Sequence, residues 1–272
     1  MTGPGTTGLR LLTYNIRHCR GTDGRVDPDR VAAVIADARP DVVALQEVDV
    51  GRARTGGHDQ AETLARILRM THHFHPALHV EEERYGDAIL TALPSRLVRA
   101  GALPGLHRRP GLEPRGALWI EIATAAGPVQ VLTTHLGLLG GERIAQAEEL
   151  LGPDWLGAPA CRGPTVLLGD FNATRWSRAY RRLTGRLDDA GRLAGNRGEA
   201  TFPSRCPILR IDHVFVGGGL GVGRVRVLRG RGPRRASDHL PLLAEIRVPA
   251  SARPAAAVAA GGTVTASGGQ AA

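Results

Sequence analysis

The grouping of the apolar residues constrains this chain more than any other feature. They come in short runs: LRLLTYNI (9–16), VVALQEV (42–48), AILTAL (88–93), GALWIEIA (116–123), VQVLTTH (129–135), TVLLGD (165–170), IDHVFV (211–216), GRVRVL (223–228) and LPLLAEIRV (240–248). Each is bounded by glycine, proline or polar residues, and runs of this length and kind suit strands. GALWIEIA and VQVLTTH flank a Gly-Pro turn and read as an antiparallel pair. In the first of them Leu118, Ile120 and Ile122 alternate with Trp119 and Glu121.

A few helices are interspersed. Asp27 is placed to cap one, Pro28 occupies its first position, Val31, Val34 and Ile35 share a face, and Pro40 closes it. Over residues 58–69, Ala61, Leu64, Ala65 and Leu68 follow helical spacing, and further helices are expected at 142–151 and 177–183. Strands in hairpins with scattered helices argue for an α/β sandwich of two packed sheets. At 272 residues and 42% hydrophobic content the chain can bury a substantial core, and with aromatics at 4% that core must be aliphatic. The expected organisation is a flexible N-terminus (1–8), one globular domain (9–248) and an Ala/Gly/Pro-rich tail (249–272) with one charge, Arg253, read as disordered.

All 35 basic residues are arginine, and the net charge is +9. Arginine-rich, GC-biased coding accounts for much of this, yet the charge attracts polyanions whatever its origin. Cys19, Cys161 and Cys206 form no C-x-x-C pair, so free thiols are expected, in a reducing cytoplasm. No signal peptide is evident, and no apolar run approaches the roughly 18 residues of a membrane span. The stretch THHFHPALH carries His72, His73, His75 and His79; without cysteines or paired spacing it reads as a loop of solvated histidines, not a zinc site. The stretch GRVRVLRGRGPRR holds six arginines and no acid directly before Asp238. It reads either as an ordinary solvated strand and loop or as a guide for phosphate.

Chemistry-bearing residues sit at strand ends. Asn15, Glu47, His135, Asp170 and Asn172 follow apolar runs, while Asp212, Asp238 and His239 precede others. A rigid scaffold presents such positions to a shared cleft. The set is rich in hard oxygen donors and has no paired thiols, which suits Mg²⁺ or Mn²⁺. Phosphate-ester hydrolysis needs a cation, a carboxylate to align water, and donors for developing charge. Asp170 is the candidate base, Asn172 the neutral donor beside it, and Asp212 the group that would orient His239.

The ordered series TYNIR, LQEVD, YGDAIL, RGALWIEI, TTHLG, LLGDFNA, RIDHVFV and SDHLPLLAEI resembles the endonuclease/exonuclease/phosphatase superfamily of metal-dependent hydrolases over residues 9–248, and small bacterial members in particular. The resemblance implies a four-layer α/β sandwich, two packed mixed β-sheets flanked by helices. It implies Glu47 as the principal metal ligand with Asn15 and Asp238, Asp170 as the residue that positions or activates water, and Asn172 on the phosphate. His135 and His239 would stabilise the phosphoryl oxygens. Asp87 stands where many relatives carry asparagine, and with Arg115 it is a candidate for substrate binding. The expected activity is a metal-dependent phosphodiesterase. Nucleic acid is one substrate class; a phospholipid surface or small phosphate ester is the other. A catalytically silent binding module on the same fold is the rival of a different class, and no protein partner can be inferred.

Overall fold

The computed structural model describes residues 6–80, 83–106, 111–196 and 199–250. Two six-stranded sheets pack face to face. The first contains β1 (Thr6–Asn15), β2 (Val42–Val50), β3 (Thr71–Val80), β4 (Glu83–Thr91), β11 (Gly221–Val227) and β12 (Leu242–Pro249), in the order β11-β12-β1-β2-β4-β3. The second contains β5 (Ser95–Ala102), β6 (Gly116–Thr124), β7 (Gly127–His135), β8 (Thr165–Asp170), β9 (Asp188–Asp189) and β10 (Asp212–Gly217), in the order β5-β6-β7-β8-β10-β9. Both sheets are mixed: β1 runs parallel to β2 and β7 parallel to β8, while the other pairings are antiparallel.

Central strands are apolar throughout because both of their faces are covered. Leu9 and Leu11 of β1 and Val166 and Leu168 of β8 point between the sheets. Their neighbours turn outward: Leu12 and Tyr14 pack with Val31 and Ile35 of α1 (Pro28–Ala38) and with Leu64 of α2 (Gln60–Leu68). Leu167 packs with Leu150 of α3 (Gly140–Leu151) and with Leu183 of α4 (Arg178–Leu183). Helix, sheet, sheet and helix make four layers, and each fully buried leucine or valine contributes about 1.5–3 kcal/mol. The Asp27 carboxylate accepts from Arg30 N at 2.9 Å at the start of α1, and Asp59 accepts from Glu62 N at 2.8 Å at the start of α2.

Three expectations need correction, and one strand was not anticipated. Residues 71–80 are the edge strand β3, not a loop of solvated histidines: His72 is exposed, but His73 and His75 are half-buried, and His73 Nε2 meets Ser95 Oγ at 2.9 Å. Strand β5 (SRLVRAGA) has no strong apolar signature because it is an edge, where Arg96 pairs with Glu121 at 2.9 Å. Residues 231–236 form a short helix, α6 (Arg231–Ala236), against α1, where strand and loop were expected. Finally β1 begins at Thr6, so part of the expected flexible N-terminus pairs with Pro249, Val248 and Arg247 of β12. Apart from Pro249 and Ala250, the expected tail lies outside the described residues, as do residues 1–5. Among the described residues no helix is long and apolar enough to cross a membrane.

Candidate active site

Strand register assembles the cleft. His135 stands opposite Asp170 in the β7–β8 pair, Asp170 opposite Asp212 in the β8–β10 pair, and Asn15 opposite Gln46 in the β1–β2 pair. Four of the expected residues therefore emerge at one end of the sandwich, and the loop entering β12 brings Asp238 and His239 to them. Local backbone departs from regularity here. The register of β2 slips between Leu45 and Val48, and Glu47 takes a left-handed φ of 59°. Asn172 has a φ of 46°. Non-glycine residues held this way cost about 1–3 kcal/mol each, and they turn both side chains toward the cleft.

Asp170 is the hub. Its Oδ1 accepts the Asn172 backbone N–H at 2.9 Å, and its Oδ2 accepts from Asn15 Nδ2 at 3.1 Å. The same Oδ2 faces His135 Nε2 at 3.4 Å and His239 Nε2 at 3.6 Å. Those last separations are too long for strong direct hydrogen bonds. Burial raises the Asp170 carboxyl to about 6; His239 opposes the rise and Asp212 adds to it. The carboxyl is thus largely ionised at neutral pH and close enough to neutrality to take a proton.

The two histidines differ in charge. His239 Nδ1 meets Asp212 Oδ2 at 3.0 Å. Burial alone would lower its pKa, but Asp212 and Asp170 carry it up to about 10, so His239 is a cation. His135 is neutral: burial, then the Arg115 guanidinium and His239, hold it well below its ordinary value. Arg115 Nη1 lies 3.0 Å from His135 Nδ1 and can only donate. The His135 proton therefore sits on Nε2, which lies 3.1 Å from Asn172 Nδ2 and 3.4 Å from Asp170 Oδ2. Arg115 is 6% exposed and also pairs with Glu113 at 3.0 Å; it stands behind His135 and not in the open cleft. Asp87 is 3% exposed, and burial pushes its carboxyl to about 8 against the opposing pull of Arg115. It is therefore mostly protonated at neutral pH.

Asn15 Nδ2 also donates to Glu47 Oε1 at 2.9 Å, while its Oδ1 accepts Arg17 N at 3.0 Å. One amide thus ties the carboxylates of β2 and β8 together. Arg17 Nε faces Asp238 Oδ2 at 3.4 Å. Burial raises the Glu47 carboxyl, and Asp238 and Asp170 raise it further. Crowded oxygens that resist ionising together are the environment a divalent cation relieves, so Glu47 and Asp238, with the remaining lone pair of the Asn15 carbonyl, fit Mg²⁺ or Mn²⁺. A tighter cluster, Asp170, Asp212 and His239, also has metal-ligand spacing. Without an ion there, the protonated imidazole supplies the positive charge between the two carboxylates.

Sequence reasoning passed over several supports. Ser237 Oγ donates to the Asn15 carbonyl at 2.7 Å, which docks the Asp238–His239 loop on the end of β1. Gln46 accepts from Thr13 Oγ1 at 3.3 Å and donates to Thr133 Oγ1 at 3.1 Å, a buried link between the two sheets. Ser237 precedes Asp238 directly, a cue in plain sight; Gln46 sits in an apolar run without one. Cys19, four residues beyond Asn15, is buried and its thiol is pushed up by burial, in keeping with an inert role.

The sequence profile of the Endonuclease/Exonuclease/phosphatase family matches residues 12–239, which hold the cleft residues and every strand but β12 and the start of β1. An uncharacterized protein of Escherichia coli K12, YbhP, is 32% identical over 141 residues, which covers 51% of this chain and 54% of that protein. The match thus spans about half the length of the curated relative. The solved endonuclease/exonuclease/phosphatase of Beutenbergia cavernae superposes with a TM-score of 0.74 at 26% identity, over 89% of this chain and 72% of that one. The mannosyl-6-phosphatase Bt3783 of Bacteroides thetaiotaomicron shares the fold with a TM-score of 0.69 at 19% identity, over 88% of this chain and 99% of that one. On its profile, its fold and its ordered motifs, the chain belongs to the endonuclease/exonuclease/phosphatase family, whose members are phosphoester hydrolases.

Proposed function

We propose that this protein hydrolyses phosphodiesters with a bound Mg²⁺ or Mn²⁺ ion. The observation that carries the reading is the environment of Asp170 Oδ2, a largely ionised carboxylate oxygen flanked by two imidazole N–H groups and one amide. Glu47, Asp238 and Asn15 would hold the ion, which when bound supplies positive charge to a non-bridging phosphoryl oxygen. Asp170 aligns the attacking water and takes its proton. Asn172, whose Nδ2 is held by the Leu136 carbonyl at 2.8 Å, and the Nε2–H groups of His135 and His239 stabilise the charge that develops on phosphorus. Asp212 keeps His239 oriented and protonated. Three free cysteines, Cys19 and Cys161 buried and Cys206 exposed, fit a reducing, cytoplasmic setting.

Turnover of bis-p-nitrophenyl phosphate tests the reading. Excess EDTA should abolish it, and Mg²⁺ or Mn²⁺ should restore it. Asp170→Asn should lower kcat by roughly 10² or more while the melting temperature stays close to that of the parent. Full activity in EDTA, or a near-normal kcat for the variant, would overturn it. Tight binding of phosphodiesters with no turnover under any metal would point to a silent binding module.

A further inference from the structure

Trp119 and Trp155 are buried at 2% and 1% exposure, whereas Trp176 is 74% exposed. A lone surface tryptophan needs no explanation, but this one is not alone. The Arg175 guanidinium lies 4.3 Å from its ring centroid, and both side chains line a cavity of about 540 Å³. Tyr180, Leu187, Arg192 and Leu193 form other parts of the wall, and Leu193 is itself 56% exposed. A volume of this size accommodates a small organic ligand.

Three features say what kind. The cavity is built on the chain that leaves the cleft: Trp176 is four residues beyond Asn172 in the loop that follows β8. On the cavity wall, Asp189 is bonded by Arg210 at 2.6 Å, two residues before Asp212. The wall is cationic where it meets solvent, since Arg175 and Arg192 are exposed while Asp189 is neutralised by Arg210, leaving Asp188 as its one exposed acid. Its most accessible apolar surface is a flat ring already backed by a guanidinium. A planar heterocycle beside a phosphate matches all three features; an acyl chain would use neither the ring geometry nor the arginines.

We infer that this cavity is a base-binding subsite: the nucleobase next to the scissile phosphate stacks on Trp176, and Arg175 and Arg192 neutralise the flanking phosphate. The inference rests on the phosphodiesterase reading and narrows it to nucleotide diesters. One platform serves one base, in keeping with a chain whose other two tryptophans are core residues.

The test is binding of adenosine 5′-monophosphate followed by NMR in excess EDTA, where nothing turns over. The base protons should receive saturation from the protein, and ribose 5-phosphate should bind clearly more weakly. Trp176→Ala should weaken nucleotide binding roughly tenfold, Trp176→Phe should retain most of it, and Arg175→Gln should weaken nucleotide and ribose phosphate alike. Equal affinity for the nucleotide and ribose 5-phosphate, or unchanged nucleotide affinity in Trp176→Ala, would overturn the subsite. Intact nucleotide binding by a protein that hydrolyses no diester would sink the catalytic reading and leave the subsite standing. Turnover with no nucleotide binding would do the reverse.

Discussion

His239 lies between two aspartates, with Nδ1 3.0 Å from Asp212 and Nε2 3.6 Å from Asp170. Burial works to neutralise the ring, and the paired acids overcome it, so its pKa rises to about 10. In the unfolded chain the value returns to about 6.5. Protonation therefore stabilises the folded state fully below about pH 6.5, and that stability is lost as pH rises through the folded value. Asp212→Asn removes the nearer charge. In the metal-free protein the variant's His239 should bind its proton at least tenfold more weakly, about 1.4 kcal/mol, as read from its imidazole NMR titration. An unchanged titration would assign the effect to Asp170 instead. Arg115 acts on the other histidine by the same physics with the opposite sign, since a cation at Nδ1 keeps His135 neutral. No local pattern in RGALWIEI announces that pairing, which spans twenty residues and depends on the turn between β6 and β7.

Among the elements, the parallel pair β7–β8 carries the most functional consequence, because its register sets His135 against Asp170. Gly169 permits that closeness: a Cβ there would run into the Thr134 carbonyl oxygen. Gly169→Ala should force the two strands apart, costing roughly 1–3 kcal/mol of stability, and lower kcat at temperatures where the variant is still folded. Thermal melts and kinetics on the same preparation check both; a variant that loses stability alone would show that the strand ends tolerate the shift. Legibility also varied by element. Strands β1, β2, β8 and β12 were readable because coverage on both faces selects apolar runs. Edge strands β3 and β5 were not, because one-sided cover and solvent let histidine and arginine in. Helix α6 was hidden because its six residues, RGPRRA, bury only Ala236 and offer no amphipathic stripe.

Over the whole molecule, a charge of +9 carried entirely by arginine has a spatial counterpart in α6, where Arg231 and Arg234 are exposed just before Asp238 and His239. Arg235 is partly spent on Asp23, at 3.1 Å. Affinity for duplex DNA, measured by anisotropy between about 50 and 200 mM salt, should fall steeply as counterion release predicts. Replacing Arg231, Arg234 and Arg235 with Gln should reduce the salt slope and leave hydrolysis of bis-p-nitrophenyl phosphate unchanged. Anionic vesicles run in parallel distinguish a lipid surface from nucleic acid. An unaltered slope on every polyanion would make the helix an ordinary solvated edge.

From its residues alone this chain declares a two-sheet sandwich and the identity of the groups at its strand ends, because burial on both faces writes apolar runs and a rigid strand end is where a polar residue interrupts them. Asp27 and Pro28 likewise announce α1 locally, since capping involves only neighbouring backbone. Distance in sequence is what the chain cannot read. That Asn15 bridges Glu47 and Asp170, that Asp212 charges His239 while Arg115 keeps His135 neutral, and that Asp87 is protonated all follow from burial and from pairings across dozens of residues. Protonation state is set by desolvation and nearby charge, and both come into being only when the sheets close on one another.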